Sequence, residues 1–359
     1  MKTIAISAAE ASGDLLASTI IEELKKKSNI KIKGLAGDVM EKAGCEVLWH
    51  TKKVSVMGFS EVLKKLPSIL KLQKEVINYF TNNPPDIFIG VDAPDFNFKI
   101  EKALKAKAIK TIHFVSPSIW AWRQGRVKKI AKSTDLILCL FPFEAEFYKK
   151  YKISAEFVGH PLTQKLKPRV NYKKTNNILL MPGSRYSEIK RLLPPLLESA
   201  KLMKTNNKEL KFNIALVNDE QLNFVKSLAN DNFNIVINKT HDIMKKSDLV
   251  ILASGTASLE AALIGVPMIV IYKLSYFSYI IAKQLIKIPY VSLPNVIAGK
   301  KIVPELIQDD ANVDNIYKNA SKLLNKDNSM LITEFKKIHN QLNKNTTSKV
   351  ATKILNLIK

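Results

Sequence analysis

Apolar and polar positions alternate along this chain on the scale of whole structural elements. Short apolar runs at Thr3–Ser7, Ile32–Leu35, Ile87–Val91, Thr111–Val115 and Asp135–Leu140 are separated by longer stretches with one polar face. Glu156–His160 closes this series, and a second one follows at Asn177–Met181, Phe212–Val217, Asn234–Ile237, Leu249–Ala253 and Pro267–Ile271. Runs of that length and continuity predict buried parallel strands, and the stretches between them predict covering helices. Lys165–Asn177 is polar, basic and poor in core residues, which predicts a linker between two α/β domains, 1–165 and 175–340. From Asn312 onward the pattern is helical, with Lys and Asn on the polar face.

The most informative stretch runs from Asp248 to Ile271. Ser254-Gly255-Thr256 interrupts a strand, and Ala257–Ile264 then reads as a helix closed by Gly265. Such a turn sits where a strand's carboxyl end meets a helix's positive end, which suits a phosphate. Glu260, one turn into the helix, is placed to reach a sugar or ribose hydroxyl pair. The same residues also make an ordinary connection with a capping Ser and a solvated Glu, and the local pattern leaves both open. Pro182-Gly183-Ser184-Arg185 repeats the arrangement after another strand, adding an Arg suited to a bidentate phosphate contact.

In the first half, Glu10-Ala-Ser12-Gly13-Asp14 reads as a loop opening a helix from Leu15 to Lys27. Ser12 and Asp14 are expected as caps, and Gly13 as a point of close backbone approach to a ligand. Asp92 emerges from the strand Ile87–Val91 just before Pro94, a sound position for a general base, while Asp95 and Asn97 read as caps of the next helix. Ser116 to Lys129 sets Trp120 and Trp122 beside Arg123, Arg126, Lys128 and Lys129. Those side chains suit a phosphorylated or sugar ligand, or the tryptophans pack between layers.

Composition narrows the chemistry. At 359 residues and 46% hydrophobic, the chain can bury two cores. Cys45 and Cys139 lie far apart without metal-like spacing, which fits a reducing compartment. The net charge of +24 draws the protein to polyanions. With no aromatic RNA-binding signature, zinc finger or basic tail, a phosphate-bearing ligand or an anionic membrane is the better expectation than nucleic acid. Val54–Lys71 is a basic amphipathic stretch that either covers a sheet or lies on a membrane. The absence of Gly-x-Gly-x-x-Gly after a strand and of a Gly-x-x-x-x-Gly-Lys loop argues against nicotinamide and ATP chemistry. None of the five histidines has zinc spacing, and no nucleophile elbow occurs. What remains is positioning and electrostatics on a diphosphate leaving group with one carboxylate as base, which suits glycosyl transfer from a nucleotide sugar.

The chain resembles the lipid-A-disaccharide synthases, inverting glycosyltransferases of the GT-B fold. The likeness is carried, in chain order, by Glu10-Ala-Ser-Gly-Asp14, Val56-Met57-Gly-Phe-Ser-Glu-Val-Leu63, Val91-Asp-Ala-Pro-Asp-Phe-Asn97, Val115-Ser116-Pro-Ser-Ile-Trp120-Ala-Trp-Arg123-Gln124, Leu140-Phe-Pro-Phe-Glu144 and Phe157-Val-Gly-His160. It continues with Pro182-Gly-Ser-Arg185, Ala253-Ser-Gly-Thr-Ala257 with Glu260, and Tyr290-Val-Ser-Leu-Pro-Asn295. One departure is Ala9, where the family usually has Gly.

The resemblance implies two Rossmann-like domains with parallel sheets facing across a cleft, the C-terminal helices at about 340–359 packing back on the first. It implies the joining of UDP-2,3-diacylglucosamine to 2,3-diacylglucosamine 1-phosphate (lipid X), with release of UDP and without metal or cofactor. Asp92 then matches the base and Arg185 an essential arginine. Gly183, Ser184, Ser254, Gly255, Thr256, Glu260 and Asn295 fall to the donor, and Glu10, Ser12, Gly13, Asp14, Met57, Ser116, Trp120 and Arg123 to the acceptor side. The family is peripheral to the cytoplasmic face of the Gram-negative inner membrane, often as a dimer with swapped C-terminal parts. Another GT-B enzyme, such as a UDP-N-acetylglucosamine epimerase or an undecaprenyl-linked transferase, is the alternative activity. A basic, non-enzymatic membrane protein is the alternative class.

Overall fold

The apolar runs become the strands of two all-parallel sheets. The computed structural model describes every residue except 55–58, 123, 171, 230–232 and 287, and omits the side chains of 59–65 and 277. One unit comprises Met1–Pro161 with Leu342–Lys359, and the other Leu162–Gln341.

In the first unit, β1 (Lys2–Ala8), β2 (Ile30–Ala36), β3 (Glu46–His50), β4 (Ile87–Val91), β5 (Lys110–Phe114), β6 (Leu136–Cys139) and β7 (Ala155–Phe157) lie in the order β3-β2-β1-β4-β5-β6-β7. In the second, β8 (Asn177–Met181), β9 (Lys211–Leu216), β10 (Phe233–Ile237), β11 (Leu249–Ala253), β12 (Met268–Tyr272) and β13 (Glu305–Ile307) lie in the order β10-β9-β8-β11-β12-β13. Each sheet winds outward from its first strand in one direction and then in the other. The winding reverses between β1 and β4 and between β8 and β11, and ligands of open α/β sheets bind beyond the strand ends at such a reversal. All five residues of β4 and of β11 are buried, because helices cover both faces there. Two edge strands, β3 and β13, are absent from the sequence reading: β3 is largely half-buried and β13 has three residues, so neither leaves a continuous apolar run.

Several expected caps turn out to be long-range struts. The first helix is Ala11–Lys27, so Ser12, Gly13 and Asp14 lie in its first turn and cap nothing there. The buried Asp14 carboxylate instead accepts from Gly37 N (2.7 Å), Val39 N (3.1 Å) and Met40 N (3.2 Å) at the start of another helix, Asp38–Lys42. A Cβ on Gly13 would meet the Val91 carbonyl at 3.2 Å and the Ala8 side chain at 3.4 Å, so this glycine brings helix to strand rather than backbone to ligand. Ala9 is buried against Leu35, Val54 and Phe88, and the core accommodates its methyl.

The stretch expected as a linker is fastened to the second unit. Arg169 donates to Ser247 O and Gly265 O and stacks on Tyr172, whose hydroxyl reaches Asp248. At the other boundary Gly159 adopts a φ of +95°, and a Cβ there would meet Leu342 O at 2.8 Å, so it admits the returning C-terminal segment beside His160. His160 N donates to Leu342 O, and burial lowers the ring's pKa to about 4.

Gly90, inside β4, makes the tightest demand near the site. A Cβ there would lie 2.1 Å from Glu101 Oε1 and 2.8 Å from Asn97 Cβ. Gly90→Ala is therefore expected to lower unfolding stability by about 3 kcal/mol, as overpacking beside a buried polar pair does. Denaturant titration would measure it, and a loss below about 0.5 kcal/mol would show that those side chains can give way.

Candidate functional site

Both reversal points carry chemistry-bearing side chains. In the first unit they come from the ends of β1 and β4. Asp92 follows β4 with φ +53° and Ala93 with φ +42°, two successive left-handed non-glycine residues. That conformation is costly and persists only where neighbours over-determine it. Asn97 does so: fully buried, its amide donates to Ser7 O, Val91 O and Asp92 O, and its carbonyl oxygen accepts from Ser7 Oγ at 2.7 Å. Asp92 N donates to Phe114 O, and Asp92 Oδ1 accepts from Ala93 N at 2.8 Å, leaving Oδ2 without a hydrogen bond among the described residues.

Glu10, at the end of β1, faces the same turn. Desolvation and, second, the Asp92 charge raise its carboxyl above the ordinary value, although the residue is open to solvent on one side. Beneath Gly90, Glu101 Oε1 and His113 Nδ1 form a wholly buried pair at 2.7 Å, and burial raises the Glu101 carboxyl. The lone glycine in a strand was the only sequence sign of this pair.

Beside Glu10 an apolar cavity of about 660 Å³ is lined by Val54, Leu66, Ile69, Leu70, Ala93 and Phe96. Leu66 to Leu70 belong to the helix Phe59–Asn82, whose later residues Leu72, Val76 and Phe80 are core against Phe88. The amphipathic stretch thus contributes to a cavity wall before its helix covers the sheet. Asp95 pairs with Arg126 rather than capping. Ser116 is buried against the Tyr148 hydroxyl (3.1 Å), and Trp120 stands edge-on to Phe143 with centroids 4.6 Å apart. Next to them, burial pushes the Glu144 carboxyl up to about 8 against the pull of the Phe141 and Leu140 N–H groups. Ser116 and Trp120 thus belong to the packing of their loop. Met57 and Arg123 lie outside the described residues.

In the second unit a cavity of about 640 Å³ opens at the ends of β8, β9 and β11. It brings together Gly183, Ser184, Arg185, Ser254, Gly255, Thr256 and Glu260, seven residues that the sequence singled out from two distant stretches. The two turns do different work. Ser184 N and Arg185 N donate to Glu188 Oε2 at 3.0 and 3.3 Å, so the protein's own carboxylate occupies that helix start. Gly183, with φ +119°, leaves room for Glu188, which a Cβ would meet at 2.6 Å. Arg185 keeps one bond to Glu188 Oε1 (3.0 Å), and its side chain is 76% exposed, so its remaining donors are available to a ligand. At the other turn the N–H groups of Gly255, Thr256 and Ala257 meet no acceptor among the described residues, the condition of an anion-ready helix start. Ser254 Oγ donates to Val291 O (3.1 Å) and Ser258 Oγ to Gly255 O (2.7 Å), which fixes the loop.

Glu260 lines the cavity with its carboxylate 3.1 Å from His241 Nε2. A single histidine without a partner in sequence reads as core or hydrogen-bonded, and the sequence gives no sign that His241 stands beside Glu260. Asn295 requires a correction. It is fully buried, donating to Val303 O and Glu305 Oε1 and accepting from Ile302 N and Val303 N, so it has no capacity left for a ligand. Glu305 also accepts from Val291 N, Ser292 N and Ser292 Oγ, and together the two residues hold the Tyr290–Asn295 turn. Among the described residues no three His, Cys, Asp or Glu side chains cluster as metal ligands, and no helix is long and apolar enough to cross a membrane.

Comparison with known proteins places these sites in context. Solved structures that share the fold include MurG of Acinetobacter baumannii (TM-score 0.64, 16% identity, 99% of this chain and 100% of that one). They also include a UDP-GlcNAc 2-epimerase of Neisseria meningitidis bound to UDP-GlcNAc (TM-score 0.66, 14% identity, 99% of each chain). The family profile described as lipid-A-disaccharide synthetase matches residues 4–355. The lipid-A-disaccharide synthase of Methylobacillus flagellatus is 42% identical with all of both chains covered, and that of Vibrio parahaemolyticus is 39% identical, covering 99% of this chain and 98% of its own. With agreement over essentially the whole length, the chain belongs to the lipid-A-disaccharide synthase family.

Proposed function

We propose that this glycosyltransferase of lipid A biosynthesis joins UDP-2,3-diacylglucosamine to lipid X, giving the disaccharide 1-phosphate and UDP. The observation that carries this reading is the cavity of the second unit, where free N–H groups at Gly255–Ala257, the exposed Arg185 guanidinium and the Glu260 carboxylate converge. N–H groups and guanidinium suit a diphosphate, and the carboxylate suits a ribose diol. Asp92 takes the proton from the acceptor hydroxyl as that oxygen attacks the anomeric carbon and the UDP–sugar bond breaks. Arg185 and the Gly255 turn balance the charge on departing UDP. Glu10 keeps the Asp92 surroundings electronegative, and the apolar cavity beside it suits an acyl chain. The +24 charge suits work at the anionic cytoplasmic face of the inner membrane, and a dimer belongs to the same reading.

Disaccharide formation from the two acylated sugars, followed by chromatography, tests the reaction. Turnover only of a non-acylated UDP-sugar would replace this reading with that of another enzyme of the same fold. A second test isolates Glu260: Glu260→Ala is expected to weaken UDP affinity about tenfold and to abolish discrimination between UDP and 2′-deoxy-UDP. Discrimination kept in the variant would remove Glu260 from the ribose.

A further inference from the structure

The chain leaves the carboxyl end of β12, makes the helix Tyr276–Leu285, and returns at Val291. Both ends of this excursion are tied down. Leu274 N donates to Gln308 Oε1 at 2.6 Å, and Val291 is held by Glu305 through its N–H and by Ser254 Oγ through its carbonyl. Between these anchors, no described helix residue is buried. Ile280, Ile281 (58% exposed), Leu285 and Ile286 all present large apolar side chains to solvent. Ile281 and Leu285, four apart, form one ridge, and Ile280 lies beside it. Scattered apolar residues need no explanation, but a contiguous set on a single short helix marks a contact surface.

Charge identifies the partner. Between Glu260 and Glu305 the sequence holds no acidic residue and five lysines, Lys273, Lys283, Lys287, Lys300 and Lys301. Only Lys300 has a carboxylate partner, Glu334 at 3.1 Å, among the described residues. The helix itself carries one lysine, Lys283, and no acid, and Lys273 and Lys287 flank it in the sequence, a composition that matches a surface apolar in depth and anionic at its boundary. Ten residues span about 15 Å, enough to lie in such a boundary and far too short to cross it.

We infer that Tyr276–Leu285 is an interfacial helix that seats the second unit on an anionic bilayer. It is distinct from the Val54–Lys71 stretch, and it adds to the proposed function a specific contact surface. Its anchor on Ser254 joins the membrane contact to the turn that offers N–H groups in the UDP-sugar cavity, so a lipid-linked donor would be received where it leaves the bilayer.

Flotation of the full chain with phosphatidylcholine–phosphatidylglycerol vesicles, without substrates, tests this apart from glycosyl transfer. The wild type is expected to float with anionic vesicles and not with pure phosphatidylcholine. The triple variant Ile280→Ser/Ile281→Ser/Leu285→Ser is expected to bind at least about tenfold more weakly with UDP affinity unchanged, the loss expected on removing three large aliphatic side chains from an apolar contact. Lys283→Glu is expected to weaken binding and its salt dependence together. Equal vesicle binding by wild type and triple variant overturns the inference while leaving the catalytic reading intact. Unchanged vesicle binding with a raised KM for acylated donor would mean that the helix grips substrate chains instead. A variant that turns from dimer to monomer would mean that a second copy covers this face.

Discussion

Asp92→Asn is expected to lower disaccharide formation about a thousandfold while UDP affinity and folding stability stay at wild-type values. The case rests on what the substitution preserves. Asp92 Oδ1 accepts from Ala93 N, and an asparagine carbonyl oxygen can accept the same bond. The backbone at φ +53° suits Asn at least as well as Asp, because short amide side chains tolerate the left-handed region. Asn97, which pins the turn through the Asp92 carbonyl, is untouched. What disappears is the capacity to take a proton, and general base catalysis contributes about 10²–10⁴ in rate. Single-turnover rates would separate this loss from product release, and calorimetric titration with UDP would check the second unit. A variant within about fivefold of wild-type turnover would exclude Asp92 as the base, and a loss confined to KM would make it a substrate anchor.

The legible parts of this protein are those whose cause is local. A strand buried on both faces must be apolar throughout, so β4, β8 and β11 announce themselves, and the small residues that end them mark the sheet edges where Asp92, Arg185 and Ser254–Thr256 sit. Gly183, Ser184, Arg185 and Ser254–Thr256, expected at the donor, line the second unit's cavity within four residues of such an end, and Glu260 lines it from one turn into the following helix. The misread residues have a cause elsewhere in the chain. Asp14 looks like a cap of its own helix and caps another more than twenty residues away. Asn97 looks like a cap and instead ties β1 to the Asp92 turn. Asn295 stands in a segment shared with the family and spends every hydrogen bond inside its own fold.

The Gly183 turn is instructive in a different way. Its small residues and helix start suggest an anion site, yet Glu188, in the first turn of that helix, fills the site itself. Sequence patterns report the backbone a turn offers, but not which nearby side chain has already accepted the offer. The family resemblance does not remove this limit, since a residue shared for folding and one shared for chemistry look alike in a sequence.

That distinction sets the expectation for Arg185. Arg185→Ala is expected to lower kcat/KM about a hundredfold, with UDP affinity falling by at least about tenfold, the worth of charge-assisted bonds to a diphosphate in a partly enclosed cavity. The helix start should survive, because Ser184 N and the residue-185 N–H still donate to Glu188 Oε2. Thermal stability is accordingly expected to change little, since the lost Arg185–Glu188 pair is solvent-exposed on the arginine side. Arg185→Lys is expected to recover only part of the activity, since an ammonium keeps the charge but not the planar fork. If the arginine serves the diphosphate, the affinity difference between UDP and UMP should shrink in the Ala variant, because the β-phosphate has lost its partner. Should UDP affinity stay unchanged while kcat alone collapses, the guanidinium would act on charge that develops only as the sugar–phosphate bond breaks, and its place in ground-state donor binding would have to be given up.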